Sequence, residues 1–312
     1  MSAYPAVAGP DAAADPALAE LLAQLRARHH DAICCTLLYG SCLRSGDIYD
    51  GLLDLYLICD DYRAAYRRLP MAAANWLLPP NVFYAELVME NRTLRSKVTV
   101  ISLRDFQRGC SKAWFESYIW GRFSQPTRIL YSRDEQSRET VEQALLQAAG
   151  TLLQNTLPAL PEQGVITELW EQALSLSYST ELRTERNGRA GELVRAANDF
   201  YTTVTRHHAN SLGFGFTLDE STGVLSYRSK VSSARHLTTR LAWSLRRVQG
   251  KILSVLRVLK ALFTFEGGLD YIAWKLARHS GEDIVIPDKV RRAPLIYMWS
   301  FFWGLYRRGI FK

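Results

Sequence analysis

Gly40-Ser41 closes an apolar run, Ala32 to Tyr39, and Asp54 stands inside the next one, Leu52 to Cys59. Small residues at a strand end let the backbone approach a phosphate, and free N–H groups together with the Ser41 hydroxyl can donate to it. A carboxylate at the start of the following strand offers a hard oxygen to a divalent cation such as Mg²⁺. Holding a triphosphate, bridging its oxygens with a metal and lining up an acceptor oxygen are the demands of nucleotidyl transfer. Leu52, Leu53, Leu55 and Leu57 surround Asp54, and an aspartate in such a strand costs stability unless it is paired or metal-bound. The plainer alternative is a turn followed by a strand-end aspartate. Sites of this kind usually carry a second carboxylate two residues on, where this chain has Tyr56. Either the second ligand comes from elsewhere or the site is degenerate.

The elements that would position these residues can be read from pattern. Leu18, Leu21, Leu22 and Leu25 predict a helix over 16–30. Strands are expected at Ala32 to Tyr39, Leu52 to Cys59, Val82 to Met89 and Lys97 to Leu103. A polar turn at Glu90 to Thr93 joins the last two, and a polar loop follows Gly40-Ser41. Helices are expected over 62–78, 104–121 and 135–156, with Pro79-Pro80-Asn81 as a break. Pro158 and Pro161 mark a boundary, after which 163–209 reads as mainly helical, interrupted at Thr184 to Gly191. A Gly-rich passage follows. The stretch 231–262 is amphipathic, with Leu237, Leu241, Leu245, Val248, Ile252, Leu256 and Leu259 on one face and Arg235, Arg246, Arg257 and Lys260 on the other. Such a helix is expected to pack in the core, with lying on a membrane as the alternative.

Composition narrows the class. With 312 residues, 48% hydrophobic and 22% charged, the chain is globular and long enough for one large domain or two ordinary ones. Met1 to Pro16 lacks a basic and then apolar leader pattern and reads as a loose lead-in, so export is not expected. The five cysteines, Cys34, Cys35, Cys42, Cys59 and Cys110, form no C-x-x-C pair and read as small core residues. The histidines show no metal-ligand spacing. Charge is uneven: Arg228 to Lys312 holds 17 Lys/Arg against 5 Asp/Glu, an excess of +12, which leaves −5 of the net +7 for residues 1–227. A tail of this kind suits an anionic surface.

Five blocks, in order, resemble the mitochondrial translocator-maintenance (Tam41-like) cytidylyltransferase family. They are Tyr39-Gly40-Ser41 with Leu53-Asp54-Leu55-Tyr56-Leu57, then Lys97-Val98-Thr99-Val100-Ile101-Ser102, then Tyr118-Ile119-Trp120-Gly121-Arg122 with Pro126. Ser177-Tyr178-Ser179-Thr180-Glu181-Leu182-Arg183 and Glu185 with Arg189 complete the set. The family also has a single Asp in its second strand, so Tyr56 ceases to be an anomaly. Two departures stand out: Gln125 where the family has Lys, and Glu181 where it has Asp. The second adds a methylene to the side chain, which would move a bound metal unless the backbone compensates. The resemblance spans roughly residues 35–205.

It implies an α+β chain: a nucleotidyltransferase-type mixed sheet with flanking helices over 31–157, preceded by a lead-in and helix over 1–30. A mainly helical substrate-side domain, for which a winged helix is one form, then covers 158–227; charge and pattern, more than the resemblance, mark 228–312 as a basic amphipathic region. The resemblance implies the conversion of CTP and phosphatidic acid to CDP-diacylglycerol and pyrophosphate, with Mg²⁺ as cofactor. Asp54, Lys97 and Glu181 would be catalytic, with Asp54 and Glu181 as metal ligands. Tyr39, Gly40, Ser41, Arg122, Arg183 and Arg189 would bind the nucleotide. On the residues alone, Glu181 could equally pair with Arg183, and Lys97 and Arg122 could sit on the surface.

Phosphatidic acid lies in a membrane. The aromatic segment Leu295 to Tyr306, flanked by Arg291-Arg292 and Arg307-Arg308, is too short to span and fits an in-plane segment on an anionic membrane, or else a core or dimer contact. The expected place is the cytoplasmic side of a membrane, peripherally bound (the matrix face in a mitochondrion). Nucleic acid is the less favoured partner of the basic tail. Two readings compete with lipid cytidylyl transfer: nucleotidyl transfer to RNA or protein, and non-catalytic binding of nucleotide or lipid.

Overall fold

The computed structural model describes residues 3–182, 188–221, 223–264, 284 and 286–292, with 297, 300, 301, 303, 304 and 307 beyond them. Two apolar runs build the centre of a mixed sheet: β1 (Ile33–Tyr39) and β2 (Leu53–Cys59), antiparallel and almost wholly buried. Being covered on both faces is what makes such strands read as continuous apolar runs. β3 (Asn81–Met89) and β4 (Arg92–Ser102) form a hairpin whose β4 runs parallel to β2, and β5 (Arg128–Ser132) pairs antiparallel with β1. The order is β3-β4-β2-β1-β5, which bears out the expected α+β mixed sheet.

Local chemistry accounts for several departures from the sequence reading. The β3–β4 turn is only Glu90-Asn91, both at positive φ, so β4 begins at Arg92; a two-residue turn with this twist joins hairpin strands most closely. Instead of a loop, Ser41–Ser45 forms one helical turn, α2, ended by Gly46 at φ 75°. The 62–78 helix is two pieces, α3 (Tyr62–Ala65) and α4 (Leu69–Leu77), each with its own start: Asp61 accepts from the first N–H groups of α3, and Pro70 opens α4.

The 104–121 helix ends at Cys110 as α5 (Leu103–Cys110), because Ser111 turns the chain by donating to the Arg108 carbonyl and accepting from Ala113 N–H. The returning chain lays Ile119 on Gly109, where a Cβ would come within 2.9 Å of the Ile119 side chain. A short helix, α6 (Trp120–Phe123), follows. The lead-in is not loose: the Tyr4 hydroxyl donates to Thr127 O and accepts from Thr127 N, and Arg128 donates to Val7 O.

α1 (Pro16–Arg28) covers one face of the sheet with Leu18, Leu21, Leu22 and Leu25. The other face meets α5, α6 and the long α7 (Glu135–Thr156). That core runs on past residue 157 into α8 (Ile166–Tyr178), α9 (Arg189–Ala196) and α10 (Asn198–His208), through Trp170, Leu174, Val194 and Tyr201. Three strands of three residues each, β6 (Gln163–Val165), β7 (Thr217–Asp219) and β8 (Ser226–Arg228), pair in the order β6-β8-β7. All five cysteines are buried and unbridged, as expected.

The long helix α11 (Ser233–Thr264) reverses the expectation of a core-packed apolar face. Leu237, Leu241, Leu245, Val248, Ile252 and Leu259 are 50–62% exposed. Its inward face buries Trp243, whose indole donates to Asn155 O and packs edge-on against Trp120, and is otherwise held by cations. Arg246 donates to Phe115 O and Asn155 Oδ1, Arg257 pairs with Glu116, and Lys260 donates to the Leu78 and Pro80 carbonyls. Periodicity locates an apolar face but cannot say which side the rest of the chain occupies. Among the described residues no helix is long and apolar enough to cross a membrane.

Candidate active site

β1 and β2 bring the first cluster together by register: Asp54 lies opposite Tyr39 on one side and opposite Lys97 of β4 on the other. Gly40 then turns out of the strand at φ 91°, ψ −154°, a conformation open essentially to glycine alone. A Cβ here would stand 2.8 Å from Asp54 Oδ2, so glycine is required both by the backbone and by the carboxylate it makes room for. Lys97 Nζ is 4.0 Å from Asp54 Oδ1, both groups being partly open to solvent. Ser41, the first residue of α2, is exposed on the same edge. Burial, with the Asp54 charge adding to it, pushes the Tyr39 phenol well above its ordinary value, so it stays neutral beside the carboxylate.

The second cluster forms where the reversed chain after α5 meets the end of α8. Gly121 packs on Ser177, where a Cβ would be 2.8 Å from the serine Cβ, and the Ser117 and Thr180 hydroxyls are 2.7 Å apart. This close seating brings Arg122 to Glu181. Nη2 of Arg122 donates to both carboxylate oxygens (3.2 and 3.4 Å), while Nη1 donates to the Tyr56 hydroxyl at 3.1 Å. Tyr56 is therefore a buried acceptor for Arg122, packed edge-on against Phe123, in the place where a second strand carboxylate would have stood. Burial opposes the Arg122 charge, but the Tyr118, Tyr39 and Tyr56 phenols and Glu181 outweigh it, so the guanidinium is held well above its ordinary value. Tyr118 is drawn the other way. Burial would raise it, yet Arg122, Lys97 and Arg257 together lower it, against Glu181.

Asp54, Lys97, Tyr39, Gly40 and Ser41 thus form one cluster and Arg122 with Glu181 an adjoining one, joined where the Tyr39 ring meets the Tyr56 ring and lies 5.7 Å from the Arg122 Cζ. Arg189, at the start of α9, pairs with Glu192 at 3.4 Å. It also lies near Arg44 of α2, whose guanidinium is lowered by burial first and by Arg189 next, with Asp54 opposing. Arg183 and Glu185 lie outside the described residues. Sequence reasoning missed Arg44, Glu116, Tyr118 and Arg257 as members of this site. Arg44 follows the Gly-Ser turn closely enough to have been a candidate. Arg257 and Glu116 are 141 residues apart and gave no local signal.

Among the described residues no group of three or more His, Cys, Asp and Glu could hold a metal. Asp54 fits Mg²⁺ as a single hard-oxygen ligand, since that ion keeps several waters and is commonly held by one or two carboxylates plus substrate phosphates. Both Glu181 oxygens are instead engaged by Arg122. A carboxylate at the strand edge, with Lys97 4.0 Å away and the Arg44 charge also acting on it, suits a polyphosphate: cations there could neutralise phosphate oxygens while the carboxylate held a metal.

No curated protein matches the chain. Residues 67–196 match the family model described as mitochondrial phosphatidate cytidylyltransferase. The matched segment contains Lys97, Arg122, Glu181 and Arg189, and it ends before α11; Gly40, Ser41 and Asp54 precede it.

Proposed function

We propose that this chain, whose central segment matches the phosphatidate cytidylyltransferase family of nucleotidyltransferases, makes CDP-diacylglycerol and pyrophosphate from CTP and phosphatidic acid at an anionic membrane surface. The observation that carries this reading is the strand register. It sets Asp54, outside the matched segment, directly beside Lys97, inside it.

A phosphate oxygen of phosphatidic acid attacks the α-phosphorus of CTP, the bond from that phosphorus to the β-bridging oxygen breaks, and pyrophosphate leaves. Gly40 and Ser41 bring backbone N–H groups and a hydroxyl to the triphosphate. Lys97 and Arg122 offset charge on the phosphates of both substrates, which would otherwise repel each other. Glu181 and the Tyr56 hydroxyl fix the Arg122 fork, so that its direction is set before substrate arrives. Asp54 would hold Mg²⁺, which when bound supplies charge neutralisation at the triphosphate oxygens.

The exposed face of α11 gives the lipid reading its surface. Leu237, Leu241, Leu245 and Ile252 face outward, with Arg240, Arg247 and Lys251 exposed along the flank. An apolar face with cations at its edge is how a helix lies in the plane of an anionic bilayer. The aromatic segment 295–306 falls largely outside the described residues; of it, Tyr297 and Trp303 are exposed.

The test is incubation with CTP, Mg²⁺ and phosphatidic acid in mixed vesicles, reading CDP-diacylglycerol and pyrophosphate in equal amounts. Label passing to RNA or protein, or tight CTP binding with no turnover on dispersed lipid, would replace this reading with one of its competitors.

A further inference from the structure

α11 is fastened to the molecule by charge, and one of its fastenings reaches the site. Arg257 and Glu116 are nearly enclosed, their side chains 11% and 3% exposed. The guanidinium donates through both ends to the carboxylate, at 2.5 and 2.8 Å, and through Nε to Pro79 O at 3.2 Å. Its Cζ also lies 4.1 Å from the centre of the Tyr118 ring, and that of Arg122 lies 4.2 Å from the same centre. The result is a chain of alternating sign: Glu116, Arg257, the Tyr118 ring, Arg122, Glu181. A buried ion pair is weak evidence for stability, because apolar side chains of the same volume usually serve as well or better. What such a pair supplies here is direction. A forked, planar guanidinium with three fixed donors cannot turn, so the ring stacked on it is held in place.

We infer that Arg257 is a positioning residue that sets Arg122 through the Tyr118 ring, and so ties the seating of α11 to the phosphate-binding centre. The inference rests on the proposed lipid reaction for its meaning, though not for its geometry. Ile252 and Leu259, both on the exposed apolar stripe of α11, bracket Arg257 along the helix. Arg257 also lines a cavity of about 1060 Å³ between α4, α5 and α11, together with Trp76, Leu77, Trp114 and Leu253. Anything that shifts the helix against this cavity moves the guanidinium, and with it the ring on which Arg122 lies. A protein that must act only when seated on a membrane gains from such a link.

The test uses Arg257→Lys, which keeps the charge and loses the fork, and Arg257→Gln, each alone and combined with Arg122→Gln in the full chain. Vesicle binding, Mg²⁺-CTP affinity, kcat and KM are measured. The expected result is a fall in kcat of about 10-fold or more for either single variant, with vesicle binding unchanged and with less than about a twofold further loss when Arg122 is already replaced. Equal losses with and without Arg122, or a fall that tracks lost vesicle binding, would overturn the inference. A second readout needs no turnover: the Tyr118 phenol and the Arg122 Cζ, followed by ¹³C NMR in labelled protein. Arg257→Gln should raise the pH at which Tyr118 titrates and shift the Arg122 signal; if both stay put, Arg257 does not position them. An inactive wild type would remove the proposed function and leave this second measurement to decide the inference alone. Should Arg257→Gln fail to fold, Glu116→Gln, which loosens the same fork, takes its place.

Discussion

Replacing Gly40 by alanine attacks the candidate site through geometry alone, with no change of charge. At φ 91°, ψ −154° the new residue carries backbone strain of about 1–3 kcal/mol, equivalent to a fall in Tm of roughly 2–10 °C in a chain of this size. Its Cβ would also stand 2.8 Å from Asp54 Oδ2, against the 3.4 Å at which ordinary contact begins. The carboxylate must therefore withdraw. A misplacement of about 1 Å at a reacting centre costs on the order of 100-fold in rate, so a loss of about 10-fold or more in kcat/KM is expected for this smaller shift. Gly46→Ala is the control. It too has positive φ, at 75°, but nothing lies within 4 Å of its added Cβ, so it should lose about 1–2 kcal/mol of stability and keep its activity. Thermal unfolding and CDP-diacylglycerol formation, measured on both variants, separate the two effects. Wild-type kcat/KM in Gly40→Ala would refute the placement of Asp54 at the reacting centre. Equal losses of activity in both variants would reduce the effect to stability.

Three further outcomes follow from the same structure. Asp54→Ala should abolish turnover while unfolding close to the wild-type temperature, because the carboxylate is partly open to solvent and its loss leaves no buried void. Leu245→Glu with Ile252→Glu should leave the far-UV circular dichroism unchanged and weaken sedimentation with anionic vesicles; unfolding instead would place that face in a core. Lys260 is held at about 7, by burial first and by Arg257 next. The unfolded chain keeps this proton up to about pH 10.4, so between pH 7 and that value the unfolded state binds more protons and stability rises with pH. Lys260→Met should flatten that rise in urea unfolding followed from pH 7 to 10.

The strand edge that joins Gly40-Ser41 to Asp54 was legible in the sequence because it is local. A strand ending in Gly40-Ser41 and an aspartate early in the next strand come together across α2 and the loop after it, because two strands buried on their faces pair in one register. The central strands β1 to β4 were legible for the same reason, as unbroken or alternating apolar runs. β5 to β8 were not: strands of three to five residues carry too little pattern to distinguish from loop.

Only the tertiary structure decided what became of the charges. Glu181, a candidate metal ligand in the sequence, is drawn to Arg122 because Gly121 and Ser177 let α6 and α8 touch. Tyr56, which looked like a missing carboxylate, is the acceptor that holds the same arginine. The amphipathic pattern of α11 was plain, yet its direction was not. A period of 3.6 records that one face is apolar, and both burial in a core and contact with a surface satisfy it. The cations Arg246, Arg257 and Lys260 turn that face outward because their partners, Asn155, Glu116 and the Leu78 and Pro80 carbonyls, come from distant parts of the chain. Sequence determines which residues can do the chemistry. Contacts between residues far apart in the chain, which no local pattern encodes, determine which of them meet.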